Sequence, residues 1–433
     1  MMPSSIVDHQ LFYEQDNRTP LTSVTIAFLG GGLQQETDAT AGLARITAKM
    51  LFRGTSKHDR ESLARAFEIL GADVSATVTE TEFFITLSGF SRNIDQMFDL
   101  LLEVLNDAQF PEKELELVKQ QQLNAMEASL QEPERVLMQA HSFALFSGGR
   151  MGKIGSRSSV RSVTRAQVND YYQHVRSCAI IYRTALTDLP EEEIRRRLDR
   201  LTAHRTGPGF TLRPEEPYAV AEGHQAIIVQ SEDAANDRLI WSHTALAAND
   251  DRRYDLGLAL DAFGSFEGYL FDVLRNKNGW CYGAYAFQMN ATLRPGRVSY
   301  YSDPSKDFSA QLMPELMRLI ETFPEAGEFT ERLALRPTTF KNRYNYQLDP
   351  KYKLSAQLQR DLYGIPILSR EEYCARIDAV TLDSARTVLS SVIDPKNMFM
   401  VFYGEEKRIE PILRTMDSSV TIRTMNKEEM INP

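Results

Sequence analysis

The second half of this 433-residue chain repeats the order of elements in the first. Val163-Thr164 opens a helix that leads through Cys178 into a strand, and Val380-Thr381, 217 residues later, opens a helix that leads through Pro395 into another. The same offset lays Leu43 on Leu260. In the first half, period-2 and apolar runs predict strands at Leu11 to Glu14, Leu21 to Leu29, Ala72 to Thr79 and Phe83 to Gly89. Helical spacing predicts helices at Gly42 to Phe52, Glu61 to Leu70, Ile94 to Leu105, Pro111 to Leu130, Val136 to Phe146 and Arg165 to His174, before a closing strand at Ala179 to Leu186. The second half gives strands at Gln225 to Val229, Arg238 to Ala245, Tyr282 to Met289 and Arg297 to Ser302, helices from Phe308 to about Val392, and a last strand at Met398 to Phe402. Between the halves, residues 203–219 carry Gly207, Pro208, Gly209, Pro214 and Pro217 and predict a linker joining domains at 1–202 and 220–433. Strands followed by runs of helices, twice over, imply an α+β fold: two similar domains, each a mostly antiparallel sheet with helices on one face.

A net charge of -10 lacks the basic excess that phosphate backbones attract, which argues against nucleic acid as a partner. No run of 18 apolar residues is present, so no membrane span is expected, and Met1 to Ser5 does not open a secretory signal. Cys178, Cys281 and Cys374 are an odd, widely spaced set and predict buried thiols, not a disulfide framework.

Ala41-Gly42-Leu43-Ala44 followed by Met50-Leu51-Phe52-Arg53-Gly54-Thr55 resembles the first signature of the pitrilysin/insulinase zinc peptidases, in their mitochondrial-processing-peptidase-like branch. Gly89-Phe90, Leu100-Leu101-Leu102 and Phe110-Pro111 match the family's sequel. In the second half, Phe263-Gly264, Leu270-Phe271-x-x-Leu274-Arg275 and Gly279-Trp280-x-Tyr282 match as well. The resemblance implies two α+β domains of about 200 residues each. It also implies a helix bearing an inverted zinc motif, His-x-x-Glu-His. In that motif two histidines one turn apart grip the metal, and the glutamate takes a proton from metal-bound water.

This chain has Arg45-Ile46-Thr47-Ala48-Lys49 there instead. Arg45 and Lys49 are cations without a free lone pair, and Ala48 accepts no proton. The family's third ligand, a glutamate, is expected near Ala125 to Glu127. No two of the seven histidines lie within one helical turn, and His174 with Cys178 is separated by the predicted helix end. The expectation is therefore no zinc, and no catalytic residue on this chain alone. Arg45 and Lys49 then form either a solvated or partner-facing helix face, or a cavity wall that meets carboxylates of a substrate or partner.

Arg275 and Tyr282 match an Arg/Tyr pair that, in the family, faces the zinc across a closed chamber and binds the substrate backbone. The resemblance gives them that substrate-binding role, donating to negative charge that develops in the transition state. Strand alternation predicts that Tyr285 faces away from Tyr282. Gly264 and Gly268 either leave room for a peptide backbone or make a turn. Gly30-Gly31-Gly32 lacks the Gly-Lys-Ser/Thr of a phosphate loop, Gly148-x-x-x-Gly152-Lys153 is one residue short of one, and no Gly-x-Ser-x-Gly elbow occurs. Glu191 to Glu193 against Arg195 to Arg197 predicts i,i+4 pairs on a solvated helix.

The function expected is a non-catalytic subunit of a heteromeric zinc metallopeptidase. A homologous partner brings the zinc, this chain supplies the Arg275/Tyr282 wall, and an unfolded peptide is enclosed between them. The alternative is a scaffold or peptide-binding protein with no catalytic contribution; the retained pair argues against it. No constellation supports an independent enzyme. By the resemblance the protein is periplasmic if a leader has been removed, and otherwise cytoplasmic.

Overall fold

The computed structural model describes residues 10–431 apart from 148, 153–154, 179–180, 203–215, 290–294, 346–349, 351, 355, 357–359 and 361–363. Most of the expected linker, the start of the strand at Ala179, and part of the Gly148 loop with Lys153 therefore lie outside the described residues. The first sheet is built from β1 Gln10–Gln15, β2 Leu21–Leu29, β3 Asp73–Val78, β4 Glu82–Phe90 and β5 Ile181–Thr187, in the order β1-β5-β2-β4-β3. The second has β6 His224–Gln230, β7 Arg238–Ala247, β8 Cys281–Met289, β9 Pro295–Pro304, β10 Met398–Gly404 and β11 Thr421–Met425, in the order β11-β6-β10-β7-β9-β8. Removing β11 leaves the same topology twice. In each repeat the first strand pairs parallel with the last and the other pairs are antiparallel, while β11 adds a second parallel pair, with β6. β2 and β7 start 217 residues apart, as do β5 and β10, which is the spacing of the sequence repeat.

The strands alternate as their sequences demand. In β2, Val24, Ile26 and Phe28 enter the main core, while Ala27 and Leu29 join Phe12 and Tyr182 on the opposite face. Around the first sheet lie α1 Leu43–Met50, α2 Arg60–Ile69, α3 Ile94–Asp107, α4 Glu112–Ser129, α5 Pro133–Leu145, α6 Arg157–Ser162, α7 Arg165–Ser177 and α8 Glu191–Thr202. The predicted stripe Ile94, Met97, Leu101 and Val104 is buried. In the second half, α9 Arg253–Gly264 packs on β8, and the helices Ser309–Thr322, Gly327–Ala334 and Leu382–Val392 complete the core on that face.

One arrangement was not anticipated. Helix α5 belongs to the first half but packs on β6, β7 and β10 of the second sheet. Phe399, Val401 and Tyr403 point into this shared core, and Met398, Met400 and Phe402 into the other. That explains why β10 reads as an unbroken apolar run: both of its faces are covered. Polar contacts fix the joint. His141 Nε2 bonds Ser242 Oγ at 2.8 Å, and burial pushes the imidazole down to about 3, so it is neutral. Glu134 meets Arg238 at 3.2 Å and accepts from the Tyr301 hydroxyl at 3.1 Å. On α8 the predicted pairs form, Arg195 with Glu191 and Arg197 with Glu193. That helix is not merely solvated, however: Arg197 is buried and reaches Asp95 of α3 at 2.8 Å.

Candidate functional site

Helix α1 is fixed by its start. Gly42 adopts φ +100, a left-handed conformation that glycine tolerates without strain. The buried Glu36 carboxylate accepts from the Gly42 and Ala44 amides at 3.1 and 2.7 Å, a negative charge on the positive end of a helix. Leu43, Ala44, Ile46, Thr47, Ala48 and Met50 are buried, which leaves Arg45 and Lys49 on the open face. Arg45 is half-buried and bonds no described residue; burial holds its guanidinium below the ordinary value. Lys49 is exposed, and its ammonium is lowered first by loss of solvent on the helix side, then by the charges of Arg45 and Arg53. Its Nζ donates to Gln122 Oε1 of α4 at 2.8 Å.

The α4 residue facing the altered motif is thus Gln122, one turn before the window expected at Ala125 to Glu127. Glu127 is turned instead toward Arg157, 2.5 Å away. Arg53, one turn beyond Lys49 along the chain, extends the positive stripe and pairs with Glu114 at 3.2 Å. Its spacing, four residues on from Lys49, was visible in the sequence; the partnership of Gln122 was not. Two cations, a methyl group and an amide already engaged by Lys49 do not fit a zinc ion. Among the described residues, no three His, Cys, Asp or Glu side chains are grouped as a metal ion requires.

Arg275 and Tyr282 are brought together. A short helix, α10 Tyr269–Phe271, runs into a π-helical turn, Asp272–Lys277, and Arg275 projects from that turn. Gly279 reverses the chain at φ +68, and Asn278 Nδ2 closes the turn on the Val273 carbonyl at 2.7 Å. Tyr282 follows at the start of β8. The Arg275 guanidinium lies 5.8 Å from the centre of the Tyr282 ring, and the tyrosine is 74% exposed. Neither side chain has a hydrogen bond or ion pair among the described residues, so both are available to a ligand.

Tyr285 does not behave as alternation predicts. The pairing of β8 with β9 shifts between Cys281 and Ala284, a β-bulge that inserts one residue and breaks the alternation just there. Cys281 and Ala284, three residues apart, both enter the core under α9, and the Tyr285 phenol is raised first by burial, then by the charges of Asp303 and Tyr282. Asp303 Oδ1 accepts from the Gly283 amide at 2.6 Å, and Ser302 Oγ donates to the Gly283 carbonyl at 2.8 Å, so β9 pins the bulge that presents Tyr282. Neither residue carries a sequence signal. Gly264 and Gly268 serve packing and turn: a Cβ at Gly264 overlaps Ala286 of β8, and one at Gly268 crowds the Ser265 amide.

Burial raises the Asp303 carboxyl above its ordinary value. A carboxyl raised by folding contributes stability that is fully present below the unfolded group's pKa and lost as pH rises through the folded one. Asp303→Asn keeps an oxygen for the Gly283 amide and removes the charge. It is expected to equal or exceed wild type in urea midpoint at pH 7 and to lose that advantage in acid. A lower midpoint at pH 7 contradicts this.

The remaining candidates are structural. Gly30 to Gly32 are held by α7, Tyr171 Oη donating to the Gly31 and Gly32 carbonyls at 2.9 Å. α7 ends at Ser177, and the Cys178 thiol lies 3.5 Å from the His174 carbonyl. Cys178 and Cys281 are buried thiols as expected, whereas Cys374 is only half-buried. No helix among the described residues is long and apolar enough to cross a membrane.

Comparison with known proteins agrees with this geometry. The sequence profile described as Insulinase (Peptidase family M16) matches residues 11–154, and the Peptidase M16 inactive domain matches 162–332. The probable mitochondrial-processing peptidase subunit beta of Arabidopsis thaliana is 25% identical over 160 residues, 36% of this chain and 30% of that protein. The chain thus spans about a third of the length of the curated relatives it first matches. An uncharacterized zinc protease of Mycobacterium leprae is 21% identical over 90% of this chain and 89% of its own. A non-peptidase homolog of Helicobacter pylori is 28% identical over 27% of each chain. Relatives therefore include both proteases and a non-peptidase. Among solved structures, a peptidase M16 inactive domain from Pseudomonas fluorescens superposes with a TM-score of 0.79 at 16% identity, over 92% of this chain and 96% of that one. With both domain profiles in chain order and the fold in agreement, the chain belongs to the insulinase family of peptidases, family M16.

Proposed function

We propose that this protein is a non-catalytic subunit of a heteromeric zinc metallopeptidase. The observation that carries the reading is a division within one chain. The zinc-ligand positions of α1 hold Arg45 and Lys49, while Arg275 and Tyr282 stand side by side, exposed and with no hydrogen bond or ion pair among the described residues. A homologous partner supplies zinc and general base. This chain supplies two fixed donors to the substrate carbonyl as it gains negative charge. The substrate is an unfolded peptide enclosed between the four domains of the pair. That one similar protein is named as a processing-peptidase subunit and another as a non-peptidase homolog supports both halves of the proposal. Such a pair works in the periplasm where the chain is exported, and in the cytoplasm otherwise.

The test is peptide hydrolysis by the zinc-motif homologue from the same genome, with and without this chain. The expected result is turnover only, or far faster, when both are present. Equal turnover by the homologue alone overturns the proposal and favours a scaffold or peptide-binding protein.

A further inference from the structure

We infer that the open face of α1 at Arg45 and Lys49 is a carboxylate-binding site. Two cations stand one helical turn apart, and among the described residues no carboxylate pairs with either. Burial lowers the Arg45 guanidinium, and Lys49 is lowered by desolvation and then by the positive charges of Arg45 and Arg53. The acids of the neighbourhood are engaged elsewhere. Glu36 holds the amides at the start of α1. Glu114 lies between Arg53 at 3.2 Å and Arg60 at 3.6 Å. Glu116 pairs with Lys119 at 2.8 Å, and Glu127 with Arg157. From α4, Lys49 is met by the uncharged amide of Gln122.

Like charges at i and i+4 repel, and partial burial makes Arg45 harder to solvate. The arrangement is therefore unfavourable at rest and becomes favourable once an anion arrives. A planar acceptor with two oxygens suits it: the guanidinium fork takes both, and the ammonium adds a third donor. The ligand class is a carboxylate on an extended peptide, either its terminal carboxylate or an Asp or Glu side chain. The peptide is taken from the reading above; the carboxylate is not.

The experiment is fluorescence anisotropy with the full chain alone and three labelled peptides: pentaalanine with a free carboxylate, its C-terminal amide, and that amide with a central aspartate. At low salt at least one carboxylate peptide is expected to bind about tenfold more tightly than the plain amide. The preference should shrink as salt rises. It should vanish in Arg45→Gln/Lys49→Gln and be reduced in Arg45→Lys, which keeps the charge and loses the fork. Preference for the free acid identifies a terminal carboxylate, and preference for the aspartate peptide a side chain; both support the site. Equal binding of all three peptides overturns it, as does a preference that survives in the double variant. The double variant is expected to melt no lower than wild type, because it relieves repulsion. Neither partner nor turnover enters this titration, so its failure leaves the co-subunit reading standing, and the reverse holds too.

Discussion

Replacing Tyr282 by Phe is expected to cut turnover of the proposed two-subunit peptidase by about 10²- to 10³-fold while leaving folding and assembly unchanged. The magnitude is that of removing one donor to a developing oxyanion, about 2.7–4 kcal/mol. The second half of the expectation comes from the structure. Tyr282 is 74% exposed and its hydroxyl bonds nothing among the described residues, so removing it breaks no internal contact. Stability should stay within about 0.5 kcal/mol of wild type. Arg275→Ala should act in the same direction, and its loss should combine non-additively with that of Tyr282, because in the proposed role both donors serve one oxygen and the guanidinium sits by the phenol ring. The measurement is kcat and KM for the complex formed with each variant, with subunit affinity determined separately. Weaker assembly at unchanged kcat would make the pair an interface feature. Unchanged kcat and unchanged assembly would remove it from function altogether.

What the sequence disclosed and what it withheld differ in physical kind. Periodicity is a local property, and it placed β2 at Leu21–Leu29 and the buried stripe of α3 because burial on one face leaves its mark residue by residue. The duplication was legible for the same reason, since one pattern recurs at a fixed offset. The α1 motif was legible because two side chains four residues apart must share a face. Long-range pairing leaves no such mark. Nothing local says that Gln122 will meet Lys49, 73 residues earlier, or that α5 will cross onto the second sheet. The bulge at Tyr282 was missed because its cause lies on another strand, in Asp303 and Ser302. The helix Glu406–Met416 and strand β11 were missed as well. Only β11 lies outside the repeat, and in it only Met425 is buried, so its apolar pattern is faint. The helix is the counterpart of α8, packing on β6 and Ser309–Thr322 as α8 packs on β1 and α3, and the repeat offset could have found it.

Gly264→Val is expected to be the most damaging single change near the Arg/Tyr pair, and the reason separates packing from backbone strain. Gly279 has φ +68 and open space around it, so a side chain there costs only backbone strain, about 1–2 kcal/mol. Gly264 is the reverse case. It ends α9 without a left-handed φ, yet a Cβ there coincides with the amide nitrogen and Cβ of Ala286. The helix lies directly on the edge strand that begins with Cys281 and Tyr282. Alanine at 264 gains up to about 1 kcal/mol in helix propensity. Overpacking opposes it with about 1–3 kcal/mol, and valine adds two more methyl groups to the overlap. Alanine should therefore lower the unfolding midpoint modestly and valine sharply. Ala286→Gly should rescue Gly264→Ala only in part, because the amide nitrogen of residue 286 remains in the way. Turnover should fall along with the midpoint, since lifting α9 off β8 moves Tyr282 relative to Arg275. A Gly264→Ala protein as stable as wild type would show that α9 and β8 are not in this close contact, and the rigid placement of Tyr282 would lose its physical basis.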